Sequence, residues 1–252
     1  MTVASVGGGL DSAAPAPLGA AHRRRLREVW RSAGWPCHDA IELDLLAAAL
    51  LSRHWDAEGR ETLRVTDAGI QMLAAARRRN QAAFDAHETL VARVALEMQR
   101  AGRIVWRGLS LRAPLPRDDG GTTWAMAMPD VYSIRHTTLE DQVEPIAHEI
   151  KVSRADLLAD LRRQAKAAAY LAVASQCWYV LREGIASADE VPAAYGVIFA
   201  GANGLDVARA APRRAQRLSL PVWMALARAA AERHDVGDDA QEMLGASASP
   251  PG

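Results

Sequence analysis

Apolar positions along the chain follow two different patterns, with a boundary near residue 82. From residue 21 they recur at helical spacing with one interruption. Arg24 to Ala33 predicts a first helix ending at Gly34, and Trp35-Pro36 breaks the pattern. His38 or Asp39 can cap a second helix, whose apolar face is Ile41, Leu45, Leu46, Ala49 and Leu50. Asp56 to Gly59 reads as a turn, Thr62 to Val65 as a short strand, and Thr66 or Asp67 as the cap of a third helix. From residue 86 helical and strand runs alternate. His87 to Ala101 carries Leu90, Val94 and Met98 on one face, and Gly102 ends it. Strands are predicted over Ile104–Trp106, extending through Leu109–Leu111, then over Trp124–Met128 and Val131–Ile134 on either side of Pro129, and over Ile146–Val152. Pro114 to Gly121 and Thr137 to Glu144 separate them as turns. Ser153 caps a helix from about Ala155 to Ala174. Cys177–Leu181 and Gly196–Ala200 are strands around a short helix at Ile185–Val191. An edge strand at Asp206–Arg209 and a closing helix at Pro221–His234 complete the order. The core therefore reads helix, three strands, helix, two strands: an α/β domain over residues 83–231 behind a helical segment over 21–82. Residues 1–20 and 232–252 are Gly/Ala/Ser/Pro-rich, the second stretch also acidic, and are expected to be disordered.

Composition narrows the function classes. Half of the 252 residues are hydrophobic, and the formal net charge is zero, so any nucleic-acid contact must come from local patches. Arg23–Arg25 and Arg77–Arg79 are such patches. The two cysteines, Cys37 and Cys177, are far apart and form no CxxC, which speaks against a cysteine zinc site or a disulfide scaffold. No apolar run approaches the roughly 20 residues that span a bilayer, and no signal pattern opens the chain, so a cytoplasmic location is expected. No Walker-type glycine loop is present, so ATP use is not indicated. Of the 30 Lys+Arg residues only Lys151 and Lys166 are lysine. A chain that uses arginine wherever a cation serves marks its lysines as positions for a compact charge whose pKa can be lowered.

The first of those lysines lies in a chemical constellation. In the predicted strand, Ile146, His148, Ile150 and Val152 face one side, so Glu149 and Lys151 share the other. Asp130 stands at the break after Pro129, joined to that strand through a turn of hairpin length. Pairing the strands brings Asp130 beside Glu149, a hard-oxygen pair suited to Mg²⁺ or Mn²⁺, with the Ile150 carbonyl as a further ligand. Lys151 would orient the attacking water or offset phosphate charge, and unlike arginine can shed a proton near neutral pH. His148 faces away and reads as core. The plainer alternative is that Asp130 caps a turn while Glu149 and Lys151 form a surface ion pair.

Pro129-Asp130 followed by Glu149-Ile150-Lys151, in the order αβββαβ, resembles the PD-(D/E)XK nuclease superfamily, the restriction-endonuclease-like fold. The string Glu149-Ile-Lys-Val-Ser-Arg-Ala-Asp-Leu-Leu-Ala-Asp160, with Lys166, Tyr170 and Cys177–Leu181, resembles its MmcB-like DNA-repair branch over roughly residues 86–215. The resemblance implies a central mixed sheet flanked by helices, metal ligation by Asp130 and Glu149, a catalytic Lys151, and DNA as partner. It also implies a homodimer, since many nucleases of this fold pair to cut two strands; the residues themselves leave oligomeric state open. Arg154, beside Asp156, continues the motif toward phosphate. Lys166 and Tyr170, four apart, can approach the substrate, although surface charge and core packing explain them slightly better. Some superfamily members use a first-helix glutamate, for which Glu88 and Glu97 are candidates. The helices and short β-ribbon of residues 21–82, the last helix entered through Thr66-Asp67-Ala68-Gly69, resemble a winged helix-turn-helix, which implies a helix in the DNA major groove. Three readings follow: a metal-dependent deoxyribonuclease, a non-cleaving DNA-binding regulator or repair scaffold, and an α/β module with a fortuitous motif.

Overall fold

The structure is a computed structural model that describes residues 18–117 and 119–232; most of both expected tails lies outside these residues. The chain divides into two compact units, residues 1–82 and 83–252.

The first unit contains helices α1 (Ala20–Arg31) and α2 (Ala40–Ala47) and an antiparallel hairpin of β1 (Leu51–Trp55) and β2 (Glu61–Val65). It also holds the start of α3 (Asp67–Arg100), which crosses the division. Leu26, Val29, Leu45, Leu50, Leu51 and Leu63 form its core. Of the two cap candidates for α2, Asp39 does the work: its carboxylate accepts the Glu42 N–H. Thr66 caps α3, its hydroxyl accepting the Gly69 N–H at 3.1 Å. Gly69 is required there by packing, because a Cβ would lie 2.4 Å from the Leu50 carbonyl oxygen. The pattern predicts separate helices opening at Thr66 and spanning His87–Ala101, yet one helix runs through both. The intervening Ala74–Ala86 stretch holds no Gly or Pro and is mostly Ala, Arg and Gln, so nothing stops propagation.

The second unit is built on a six-stranded mixed sheet. Its strands are β3 (Arg103–Arg107), β6 (Val131–Arg135), β7 (Ile146–Lys151), β8 (Gln176–Arg182), β9 (Gly196–Ala200) and β10 (Leu205–Arg209). Their order is β10-β9-β8-β7-β6-β3, with β7, β8 and β9 parallel and the other pairings antiparallel. A separate hairpin of β4 (Leu111–Pro116) and β5 (Thr122–Ala127) is inserted between β3 and β6. With it set aside, the order is α3, three strands, two helices, three strands and a closing helix. Leu111 therefore does not extend β3. Gly108, at φ 60°, turns the chain first, and Pro114 is tolerated because its two-stranded ribbon has free edges.

Alternation along the strands sends side chains to two cores. Ile150, Val152, Val180 and Ile198 pack with Leu90, Val91 and Val94 of α3. Ala147, Tyr179, Leu181 and Val197 pack with Tyr132, the hairpin and the helices of the opposite face. Those helices are α4 (Arg154–Leu161), α5 (Gln164–Val173) and α6 (Leu220–Arg228). Each fully buried aliphatic side chain contributes roughly 1.5–3 kcal/mol. The single helix expected over Ala155–Ala174 is thus two, broken at Arg162–Arg163. Ile185–Val191 holds one 3₁₀ turn, Ala188–Glu190, and the closing helix ends at Arg228. Among the described residues, no helix is long and apolar enough to cross a membrane.

Candidate active site

Asp130 stands in the break between β5 and β6, immediately before β6. The β6–β7 ladder ends at the Val131–His148 pair, so the next outward-pointing β7 amide has no strand partner. Asp130 fills that place: its Oδ2 accepts the Ile150 N–H at 2.7 Å. A residue's N–H and C=O leave a strand on the same edge, so the Ile150 carbonyl points to the Asp130 side. His87 on α3 approaches the same oxygen, Nε2 to Oδ2, at 3.4 Å.

Glu149 and Lys151 lie on one face of β7, as alternation requires. Glu149 is buried, and its carboxylate gathers three donors. Oε1 accepts from Lys151 Nζ at 2.5 Å and from Lys166 Nζ at 2.6 Å, and Oε2 accepts from the Tyr170 hydroxyl at 2.8 Å. Both lysines of the chain therefore meet on one carboxylate. A second buried carboxylate, Asp160, closes the corner. Its Oδ1 accepts from Lys166 at 2.6 Å, its Oδ2 accepts from the Tyr179 hydroxyl at 2.9 Å, and Lys151 lies 3.6 Å from Oδ2.

The helix break explains how Asp160 arrives. In one straight helix six residues advance by about 600°, which would set Asp160 and Lys166 about 120° apart and about 9 Å along the axis. The break at Arg162–Arg163 turns the end of α4 and the start of α5 onto the same carboxylate pair. Lys166 and Tyr170, four apart on α5, then reach Glu149 together, so the packing explanation slightly favoured by the sequence is replaced by a polar one. Asp160, Tyr179 and His87 are the residues that sequence reasoning misses. Asp160 ends the quoted motif string, but its six-residue spacing from Lys166 is no helical neighbour relation and so gives no signal.

Charge in this corner is balanced by proximity. Burial pushes the Asp130 carboxyl above the ordinary range, and the neighbouring Glu149 charge pushes it further. The Ile150 amide, His87 and Lys151 pull the other way. Burial works against the Lys151 ammonium, but Glu149, Asp160 and Asp130 outweigh it and hold the lysine above its usual value. In this metal-free arrangement the neighbours of Lys151 favour its charged form. For Asp160 burial is likewise outweighed, by Lys166 and Lys151, and its carboxyl is held low. His148 faces the other core as expected, where burial drives its pKa to about 3; among the described residues its Nδ1 has no hydrogen-bond partner.

Arg154 is not brought to this corner. It forms a two-point pair with Glu190 at 3.0 and 2.7 Å and donates to the Ile185 carbonyl. Asp156 is held by the Ser153 hydroxyl at the start of α4. Glu97 pairs with Arg100 on the helix surface. Glu88 is nearer, its Oε1 3.2 Å from Nδ1 of the same His87 that approaches Asp130. Two clefts open onto the site. One of about 360 Å³ is lined by Phe84, His87, Ile150, Lys151 and Asp160, and one of about 430 Å³ by His87, Glu88, Arg107 and Asp130.

Among the described residues no cluster of three or more His, Cys, Asp or Glu side chains is arranged to hold a metal ion. The expected donor set is different, two carboxylates and a peptide carbonyl, and the local chemistry accommodates a hard cation. The Asp130–Glu149 repulsion is the kind that a divalent ion relieves. Each donor to Glu149 also has a second acceptor: Lys166 has Asp160, Lys151 has Asp160 further off, and the Tyr170 hydroxyl lies 2.6 Å from the Met128 carbonyl. If Glu149 turned to a cation, Lys166 and Tyr170 would keep a hydrogen-bond acceptor and Lys151 would remain near Asp160.

No family model matches the chain, and no curated protein matches it. Among solved structures, a protein of unknown function from Silicibacter pomeroyi matches with 21% identity and a TM-score of 0.34, covering 52% of this chain and 79% of that one.

Proposed function

We propose that the second unit hydrolyses phosphodiester bonds of DNA with Mg²⁺ or Mn²⁺, in DNA repair or a related pathway. On this reading its sheet is a restriction-endonuclease-like core, and residues 21–82 are a winged helix. The observation that carries the reading is the seating of Asp130 on the Ile150 amide, one residue along β7 from Glu149. Asp130, Glu149 and the Ile150 carbonyl would hold the ion. When bound there, such an ion would supply a water of lowered pKa and offset charge on the phosphate. Lys151, held as an ammonium by its carboxylate neighbours in the metal-free site, faces the cleft and would stabilise negative charge on the reacting phosphate. Asp160 positions both lysines, and Tyr170 holds Glu149.

Incubation with supercoiled, linear, single-stranded and branched DNA in Mg²⁺, Mn²⁺ or EDTA tests this. Cutting is expected only with metal. Asp130→Ala and Lys151→Ala should each lower it by about 10²-fold or more, the loss typical for one preorganised electrostatic contact. Cutting that survives EDTA, or both substitutions, defeats the reading. One observation favours a second reading, a non-cleaving DNA-binding regulator or scaffold. The two lysines and two carboxylates neutralise one another within one hydrogen-bonded corner. Binding without cutting under every metal condition would establish it.

A further inference from the structure

The first unit carries a groove of about 910 Å³ between α1 and the first turns of α3. Arg23, Arg27 and Arg31 line it from α1, and Arg77 and Arg79 from α3, with Trp30 among them. Among the described residues no carboxylate lines it, and its lining includes the apolar Ile70 and Leu73. Among the described residues none of these five arginines makes an ion pair. Elsewhere in the unit Arg24, Arg25, Arg53 and Arg60 are paired, with Glu28, Asp39, Glu61 and Asp56, while Arg64 and Arg78 stand outside the groove and, among the described residues, make no ion pair either. The described acids of the unit lie outside the groove, at Glu28 of α1, on α2 and its cap, on the hairpin, and at Asp67, the first residue of α3. The groove is left with a concentrated positive field over a low-dielectric lining, which attracts a polyanion.

Trp30 decides which polyanion. Its side chain is an indole left 57% exposed amid cations, a cost in water that a stacked aromatic partner removes. Successive arginines at i, i+4 and i+8 place three cations along one face of α1 over about 12 Å, with Trp30 beside the last. A row of cations flanking an aromatic platform is the pattern of single-strand binding, where phosphates track the charges and an unstacked base lies on the ring. A duplex keeps its bases stacked and asks instead for donors aimed at base edges.

We infer that this groove binds a single strand of DNA, with a base stacked on Trp30 and phosphates on Arg27, Arg31 and Arg77. The inference rests on the DNA-processing reading for its choice of polymer. It is tested on the full chain carrying Asp130→Ala, in EDTA, by fluorescence anisotropy with labelled oligo-dT and with a duplex of equal length. Oligo-dT should bind about tenfold or more tightly than the duplex. Trp30→Ala should weaken it about tenfold, within the range for loss of one stacked base, and Trp30→Phe should recover most of that. Arg27→Ala with Arg77→Ala should lower the slope of log K against log salt by about 1.4, at about 0.7 per single-strand phosphate contact. The affected side chains are exposed, and far-UV circular dichroism checks that the helices persist. The inference is overturned by oligo-dT binding that these variants leave unchanged, by duplex bound as tightly as oligo-dT, or by poly-glutamate displacing oligo-dT at equal charge. Groove-dependent binding by a protein that never cuts DNA would leave the groove standing and sink the nuclease reading. Metal-dependent cutting with groove-independent binding would do the reverse.

Discussion

Two cation clusters in this protein handle charge in opposite ways. The groove of the first unit holds five arginines with no ion-pair partner among the described residues, and four of them are exposed. The corner of the second unit holds the chain's two lysines, with side chains only 12% and 25% exposed, locked between Glu149 and Asp160. A guanidinium is weakly hydrated, always charged and forked, and it serves as a standing attraction for phosphate. An ammonium is compact and fits between two carboxylates that fix its position and its charge. The first arrangement costs the fold little and waits for a partner. In the second, each charge is tied to the next, so the corner should contribute to stability as well as to chemistry.

That contrast is broken most directly at Glu149. Glu149→Gln keeps the shape but leaves Lys151 and Lys166 with Asp160 as their remaining carboxylate in a mostly buried site. Removing one partner of a buried ion pair costs about 3–5 kcal/mol. Arg27→Ala with Arg77→Ala should shift stability by no more than about 0.5 kcal/mol. Urea unfolding of the three proteins measures both. A Glu149→Gln midpoint equal to that of the parent would mean that the lysine corner is not the interdependent network described above.

The two clusters also differ in how far the sequence reveals them. Rarity exposes the lysines, since two in thirty cations is a visible choice, and period-two alternation places Glu149 and Lys151 on one face. Pro129 marks the break where Asp130 sits. The rest of the corner is tertiary. Asp160 reaches it only because the chain breaks at Arg162–Arg163, where no Gly or Pro announces a stop. His87 reaches it because α3 crosses the sheet at that point, and periodicity carries no information on crossing. Lys151 illustrates the same limit for chemistry. Its identity invites a lowered pKa, but the sign of the shift is set by carboxylates that converge from β7, α4 and the β5–β6 break. The hairpin inserted between β3 and β6 was hidden because Leu109–Leu111 has the apolar character of a continuing strand, and only the turn at Gly108 separates them.

A smaller perturbation asks how evenly the corner shares its load. Tyr170→Phe removes a hydroxyl that lies within hydrogen-bonding distance of Glu149 and of the Met128 carbonyl. Hydrogen bonds to charged groups contribute about 1.5–3 kcal/mol. The expected loss is at the lower end, because both lysines remain on Glu149. Equilibrium unfolding gives the magnitude. A loss as large as that of Glu149→Gln would place the corner's stability in the tyrosine rather than in the ion pairs.

The smallest effect is expected where an arginine is paired but exposed, as Arg154 is with Glu190. Pairing here resembles the lysine corner, and exposure resembles the groove, so this pair separates the two influences. The Arg154 guanidinium, with help from the Ser187 amide, holds the Glu190 carboxyl down at about 2 from an ordinary 4.5. A lowered carboxyl pKa means that the stabilisation is complete above about pH 4.5 and fades as pH falls toward about 2, where the folded form also takes up the proton. Arg154→Ala removes the larger cause and leaves the Ser187 contact, so parent and variant should differ slightly near neutral pH and converge on acidification. Solvent screening keeps the difference modest, as for exposed pairs generally. Urea midpoints taken from about pH 6 to about pH 2 test it. Curves that stay parallel to the acid end would show that Arg154 acts through its 3.2 Å bond to the Ile185 carbonyl rather than through Glu190. A gap approaching that of Glu149→Gln would show that pairing, rather than burial, sets the strength of both clusters.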